Sequence, residues 1–278
     1  MTLTSLTGRS GLLVLLALLL FGAAAGHAQR WGGRGGWRSA PEREGLPERR
    51  GGFTFCRLLY NSVRAEPAGH GWNTDYPASD HNFMLRLSQL TTADVSRWAD
   101  GEPGYAVVRA TDRTLFECPF LFASDVGTAQ FSEEEVVLLR QYLLKGGFLW
   151  VDDFWGERAW TYWSETIRRV LPFYEVTDLP SDHPLLRAAY DVQSVPQIPS
   201  IQFWRRSGGA TSERGGESAQ PHLRAIRDEQ GRILVLMSHN TDIADGWERE
   251  GEDEAFFFAF SGDAYALGIN VALWALTH

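Results

Sequence analysis

Two apolar runs, residues 119–123 and 148–151, bracket a segment whose helical start and stop are both written in residue chemistry. Ser132 stands three residues before Glu135, the spacing of a capping box, and Glu133, Glu134 and Glu135 put carboxylates at the positive end of the helix dipole. Val136, Leu139, Tyr142 and Leu143 then recur at helical spacing until Gly146-Gly147 ends the helix. Apolar runs alternate with helical patterns in this way along most of the chain. That alternation predicts an α/β domain, with a mostly parallel sheet covered on both faces by helices.

The other elements follow the same reading. A first strand is expected over residues 53–60, followed by a long polar loop, 61–80, and a helix over about 81–90 capped by Asp80. Further strands are expected at 106–110 and at 232–238, the latter after the turn 228–231, and the apolar run 256–260 reads as the last strand. Helical sequence covers 160–170, and a final helix over 264–276 places Leu267, Val271 and Trp274 on one stripe. The Gly/Ser/Glu/Arg-rich stretch 207–218 reads as a mobile surface loop.

Arg9, the apolar run 11–21 and the small-residue step Gly26-His27-Ala28 form the pattern of a secretory signal peptide, residues 1–28. The run falls short of the roughly 20 residues of a spanning helix, so the expectation is export to the periplasm with no membrane span after cleavage. Residues 29–52 are rich in Arg and Gly without apolar periodicity and read as a disordered linker. Residues 53–278 suit one domain.

The net charge is -9, and the seven Arg and three Glu of residues 1–52 leave the remainder at about -13. With a single lysine, Lys145, and arginines scattered among carboxylates, the chain lacks the basic track of a nucleic-acid binder. The two cysteines, Cys56 and Cys118, do not have zinc-site spacing. They are read either as a disulfide or as two buried thiols. No cofactor is indicated, and no metal site is assigned.

In an open parallel sheet, ligands bind outside the carboxyl ends of the strands. Three polar clusters are expected there. The loop 70–83 supplies Asp75, Tyr76 and Asp80; the turn after the 148–151 strand supplies Asp152, Asp153 and Trp155; the end of the 232–238 strand supplies His239, Asn240 and Asp242. Paired carboxylates serve as acid and base or hold a cation, and a histidine beside them acts as a base or metal ligand. Asp153 and His239 are the catalytic candidates. The structural alternative is that one Asp caps the next helix, the other accepts backbone N–H groups, and His239 orders its loop. Trp155, Trp160 and Trp163 would offer an aromatic platform for sugar or peptide, but the three-residue spacing of the last two favours packing.

Tyr76-Pro77 with Asp80 and Asn82-Phe83, then Gly146-Gly147-Phe148 with Asp152-Asp153-Phe154-Trp155-Gly156, occur in a familiar order. So do His183-Pro184, Pro196-Gln197, His239-Asn240-Thr241-Asp242, Ala264-Tyr265, Gly268-Ile269-Asn270 and Thr277-His278. Over residues 53–278 the chain resembles the domain of unknown function 4159 family of bacteria. The resemblance implies a flavodoxin-like, class I glutamine amidotransferase-like three-layer sandwich, also used by trehalose-utilisation-like proteins. Some relatives carry membrane segments and von Willebrand factor A type modules, which implies an envelope protein partner, while Asp152, Asp153, His239 and Asp242 are residues that could bind a cation or a small polar ligand. The amidotransferase fold places its cysteine nucleophile at the turn that here reads Asp152-Asp153-Phe154, so thioester-based glutamine hydrolysis is excluded on this comparison. Two functions are expected: a noncatalytic binding module of the envelope, or a hydrolase of envelope carbohydrate or peptide using Asp153 and His239, with or without a metal.

Overall fold

Residues 43, 45–48 and 51–278 are described by a computed structural model. The signal peptide and most of the linker expected from the sequence lie outside the described residues. In chain order the elements are β1 (Phe55–Leu59), β2 (Asn61–Ser62), α1 (Ala78–Leu90), β3 (Tyr105–Arg109), β4 (Phe120–Ala123), β5 (Ala129–Gln130) and α2 (Glu133–Leu144). There follow β6 (Phe148–Phe154), α3 (Gly156–Val170), β7 (Val176–Asp178), α4 (Ile201–Ser207), β8 (His222–Arg227), β9 (Ile233–His239), α5 (Ile243–Glu248) and α6 (Gly262–Thr277).

The main sheet has seven strands in the order β3-β1-β4-β6-β9-β8-β7. β3, β1, β4, β6 and β9 are mutually parallel, and β8 and β7 extend the sheet in antiparallel pairing beyond β9. Among the parallel strands the order is second, first, third, fourth, fifth in the chain, which is the flavodoxin-like arrangement. β2 and β5 form a separate antiparallel pair.

Strand alternation sorts the core into two layers. Phe55, Phe120, Phe122, Phe148, Trp150 and Leu236 face one side, where they pack with Phe83, Met84 and Leu87 of α1, Trp247 of α5 and the buried stripe of α6. Cys56, Leu121, Leu149, Val151, Val235 and Met237 face the other, against Val136 and Leu139 of α2 and Trp163 and Ile167 of α3. Both faces are covered, which is why these strands read as continuous apolar runs. α2 forms as its sequence predicts: Ser132 and Glu135 make the reciprocal capping box. Cys56 and Cys118 are joined in a disulfide, which settles the choice left open by the sequence.

Four expectations are corrected. Residues 256–260 are not a strand: Asp253 accepts the N–H groups of Ala255 and Phe256, and a helical turn, Glu254–Phe256, runs through a π turn, Phe257–Ser261, into α6. Phe256 and Phe260, four residues apart, meet each other and Trp204 of α4, a helical contact that an unbroken apolar run does not distinguish from a strand. Asp80 does not cap α1, which begins earlier, at Ala78, and has no side-chain cap; Asp80 is instead drawn into a buried ion pair. The stretch 207–218 is tied down: Ser218 is buried and bonded to Ser212, and Glu213 accepts the Ser200 N–H at the start of α4. Finally, β7 and β8 carry no clear apolar signal and were not expected, because both are only partly covered.

The continuous helical stretch Glu254–Thr277 is long and apolar enough to cross a bilayer by length and composition. More than half of its most apolar window is buried inside the protein, 56%, which is the condition of a core helix.

Candidate functional site

In the flavodoxin-like order, the chain reverses its direction of winding between β1 and β4, and the carboxyl edge at that point is where such folds bind ligands. Four residues at this edge have left-handed backbones: Asp75 (φ 63°), Asp125 (φ 52°), Asp153 (φ 54°) and Asn240 (φ 63°). Asp and Asn are the non-glycine residues that tolerate this region best, since their short polar side chains bond locally. Three of the four turns lean on one another. The Asp125 N–H donates to the Asp152 carbonyl, the Asn240 N–H donates to the Phe154 carbonyl, and Asn240 Oδ1 accepts the Gly156 N–H at 2.8 Å.

Carboxylates converge on the face of the sheet that carries α1 and α5. Asp152 is fully buried; its Oδ2 accepts the Ala244 N–H at 3.0 Å, and its Oδ1 has no hydrogen-bond partner. Asp242 caps α5 by accepting the Asp245 N–H, and Asp245 Oδ2 accepts the Ile201 N–H. Asp75, Asp242 and Asp245 each bring one oxygen to within 4.8 Å of the others. Burial raises all of these groups, and repulsion from their neighbours adds to it. Asp75 is pushed up to about 6 and Glu248 to about 8, while Asp152, Asp153, Asp242 and Asp245 lie well above the usual carboxylate range.

Arg57 builds one wall. It lies in the middle of β1, fully buried, and its guanidinium donates to both oxygens of Asp80, to the Trp72 and Thr74 carbonyls and to Ser79 Oγ. These bonds hold the loop that carries Asp75. Asp80, a predicted ligand residue, is thus taken up by a structural pair. The Tyr76 ring packs at a tilt against Trp72 of the same loop and edge-on to Tyr105 at the start of β3.

At the β6 turn, Asp153 is partly exposed and its Oδ1 accepts the Trp155 indole N–H at 2.9 Å, so Trp155, itself buried, steadies the carboxylate. Neither Asp152 nor Asp153 caps α3; the amide of Asn240 bonds the Gly156 N–H there instead. Trp163 is core, as its spacing suggested, and Trp160 stacks on Phe154 and His239.

His239 is not brought beside the carboxylates. Strand alternation turns it to the sheet face opposite Leu236, into a box of Phe154, Trp160 and His222. Its Nδ1 meets Arg224 at 3.1 Å and its Nε2 meets the Gly156 carbonyl at 3.3 Å. Burial and the facing arginine push it down to about 3, so it is neutral at any ordinary pH.

Sequence reasoning missed Arg57, Asp125, Glu248 and Arg249. A charge in the middle of an apolar strand was the available signal for Arg57, since a strand covered on both faces must bury it with a partner. Asp125 is buried and its Oδ2 accepts the Gly71 N–H at 2.8 Å. Desolvation and the neighbouring Glu66 push it up to about 7. The folded chain therefore keeps a proton that the unfolded chain releases near pH 4, and stability falls as pH rises from about 4 to 7. Asp125→Asn keeps an acceptor for Gly71 and removes that loss. In urea unfolding with a chelator present, the variant is expected to gain ~2 kcal/mol on the wild type between pH 5 and pH 8; a gap that stays constant with pH would contradict the assignment.

The fold and site together define a flavodoxin-like α/β domain with a largely buried cluster of carboxyl groups at its switch point. The chain belongs to the family described as Domain of unknown function (DUF4159), whose model matches residues 54–276. A comparison with curated proteins gives no match.

Proposed function

We propose that this chain is an exported binding module of the bacterial envelope, and that its acidic crevice takes a small polar ligand. One observation carries the reading: buried carboxylates from separate loops meet at the switch point with oxygens left unbonded, whereas the residues a hydrolase would use as a pair do not meet. His239 sits on the other face with both ring nitrogens engaged. Both cysteines are consumed in the disulfide, so the chain has no thiol nucleophile. Export is supported by the signal-peptide pattern and by the disulfide, a bond that persists in oxidising compartments.

The test is thermal unfolding of the mature domain in the presence of sugars, short peptides and peptidoglycan fragments. A ligand at a hundred times its Kd is expected to stabilise the domain by about 2.7 kcal/mol, and Asp153→Asn to lose that shift while unfolding at or above the wild-type temperature without ligand. Turnover of any of these compounds that is abolished by Asp153→Asn would replace the binding module with an enzyme.

A further inference from the structure

The same crevice points to the chemistry of its occupant. We propose that Asp75, Asp242 and Asp245 form a site for a hard divalent cation of the calcium class, a reading that specifies, and rests on, the binding module above. Three carboxylate oxygens within 4.8 Å of one another match the separation of ligands around one Ca²⁺, whose oxygens lie 2.3–2.6 Å from the ion and so up to about 5 Å apart. Mg²⁺ dehydrates reluctantly and is usually held by one or two carboxylates together with several waters, so a set of three carboxylates favours Ca²⁺.

The three carboxylates do not stand alone. Asp152 reaches the turn that carries Asp242 and Asp245 by bonding the Ala244 N–H, and its second oxygen, on a side chain with no exposure at all, has no partner. Asp75 Oδ2 is also without a hydrogen-bond partner. A buried carboxylate oxygen with no donor is costly, and a cation satisfies several such oxygens at once. The local cations are already engaged: Arg57 is bound to Asp80, and Arg249 contacts Glu248 at 2.7 Å, Glu252 at 3.0 Å and Asp245 at 3.5 Å. Two arginines thus face Asp75, Asp80, Asp152, Asp153, Asp242, Asp245 and Glu248, an excess of carboxyl groups over cations that a bound divalent cation would balance.

The experiment uses the mature protein stripped with chelator at pH 7.5. Ca²⁺ is titrated by calorimetry, and Tb³⁺ is titrated by luminescence excited through the tryptophans. One site is expected, with Tb³⁺ displaced by Ca²⁺ and with Mg²⁺ at least tenfold weaker. Asp242→Asn keeps an oxygen to cap α5, and Asp75→Asn suits a left-handed backbone; each is expected to weaken Ca²⁺ at least tenfold with an unchanged circular dichroism spectrum. Glu254→Gln, outside the crevice, is expected to change nothing. Absence of Ca²⁺ binding, or wild-type Ca²⁺ affinity in both crevice variants, overturns the proposal. A sugar or peptide that stabilises the protein equally in chelator overturns the cation while leaving the binding module standing; Ca²⁺ binding without any organic ligand does the reverse.

Discussion

Arg57→Met is expected to destabilise the domain by about 3–5 kcal/mol, the cost of breaking a buried ion pair from one side. The guanidinium and the Asp80 carboxylate are both fully buried. Methionine fills much of the volume but leaves Asp80 charged without its ion partner, with the Ser79 hydroxyl as a remaining donor, and strips the donors from the Trp72 and Thr74 carbonyls and from Ser79. Arg57→Lys is expected to recover only part of the loss, because an ammonium does not reproduce a planar fork that reaches five acceptors in different directions. The double variant Arg57→Met, Asp80→Asn is expected to lie closer to wild type than Arg57→Met alone, since it removes the orphaned charge. Urea unfolding of the four proteins decides the matter; a loss below about 1 kcal/mol for Arg57→Met would show that the pair is not what holds the loop.

Opening the disulfide is expected to cost about as much. Cys56 and Cys118 are 62 residues apart in sequence, and closing a loop of that length in the unfolded chain corresponds to about 4 kcal/mol. Both residues are buried among apolar side chains, so alanine is the replacement that adds no buried hydroxyl. The Cys56→Ala, Cys118→Ala variant is expected to unfold at a lower urea concentration than wild type and to be indifferent to reductant. Wild type should fall towards the variant when reduced. An unfolding midpoint that does not respond to reductant would mean that the crosslink adds nothing to stability.

The parts of this fold that were legible in the sequence are those whose signals are local. The capping box at Ser132, the helical stripe of α2 and the Gly146-Gly147 stop depend only on residues a turn apart, and the five parallel strands announce themselves because burial on both faces leaves them uniformly apolar. β8 is only partly covered and alternates charged with apolar residues, and β7 is three residues long, so neither reads as an apolar run. The aromatic run at Phe256 misleads because apolar content without a period fits either a strand or a helix. In the crevice, the three polar clusters were visible as sequence, and Asp75, Asp152 and Asp242 do converge. What one chain of letters does not convey is the face onto which each strand turns its last residue. Hence His239, only three positions before Asp242, is on the opposite side of the sheet, and Arg57, hidden in an apolar strand, stands at the centre of the loop's anchorage.

The left-handed turns at Asp75, Asp125, Asp153 and Asn240 constrain how such a crevice can drift over generations. At each position, glycine and the Asp/Asn pair are the residues that take up the backbone with little strain, so shape confines the alphabet to three letters. Within that alphabet, Asp to Asn or Gly, each a single nucleotide change, discards a charge while sparing the loop. Related chains are therefore expected to lose the negative charge of the crevice more readily than its outline, and could retain the same cup for ligands of different charge.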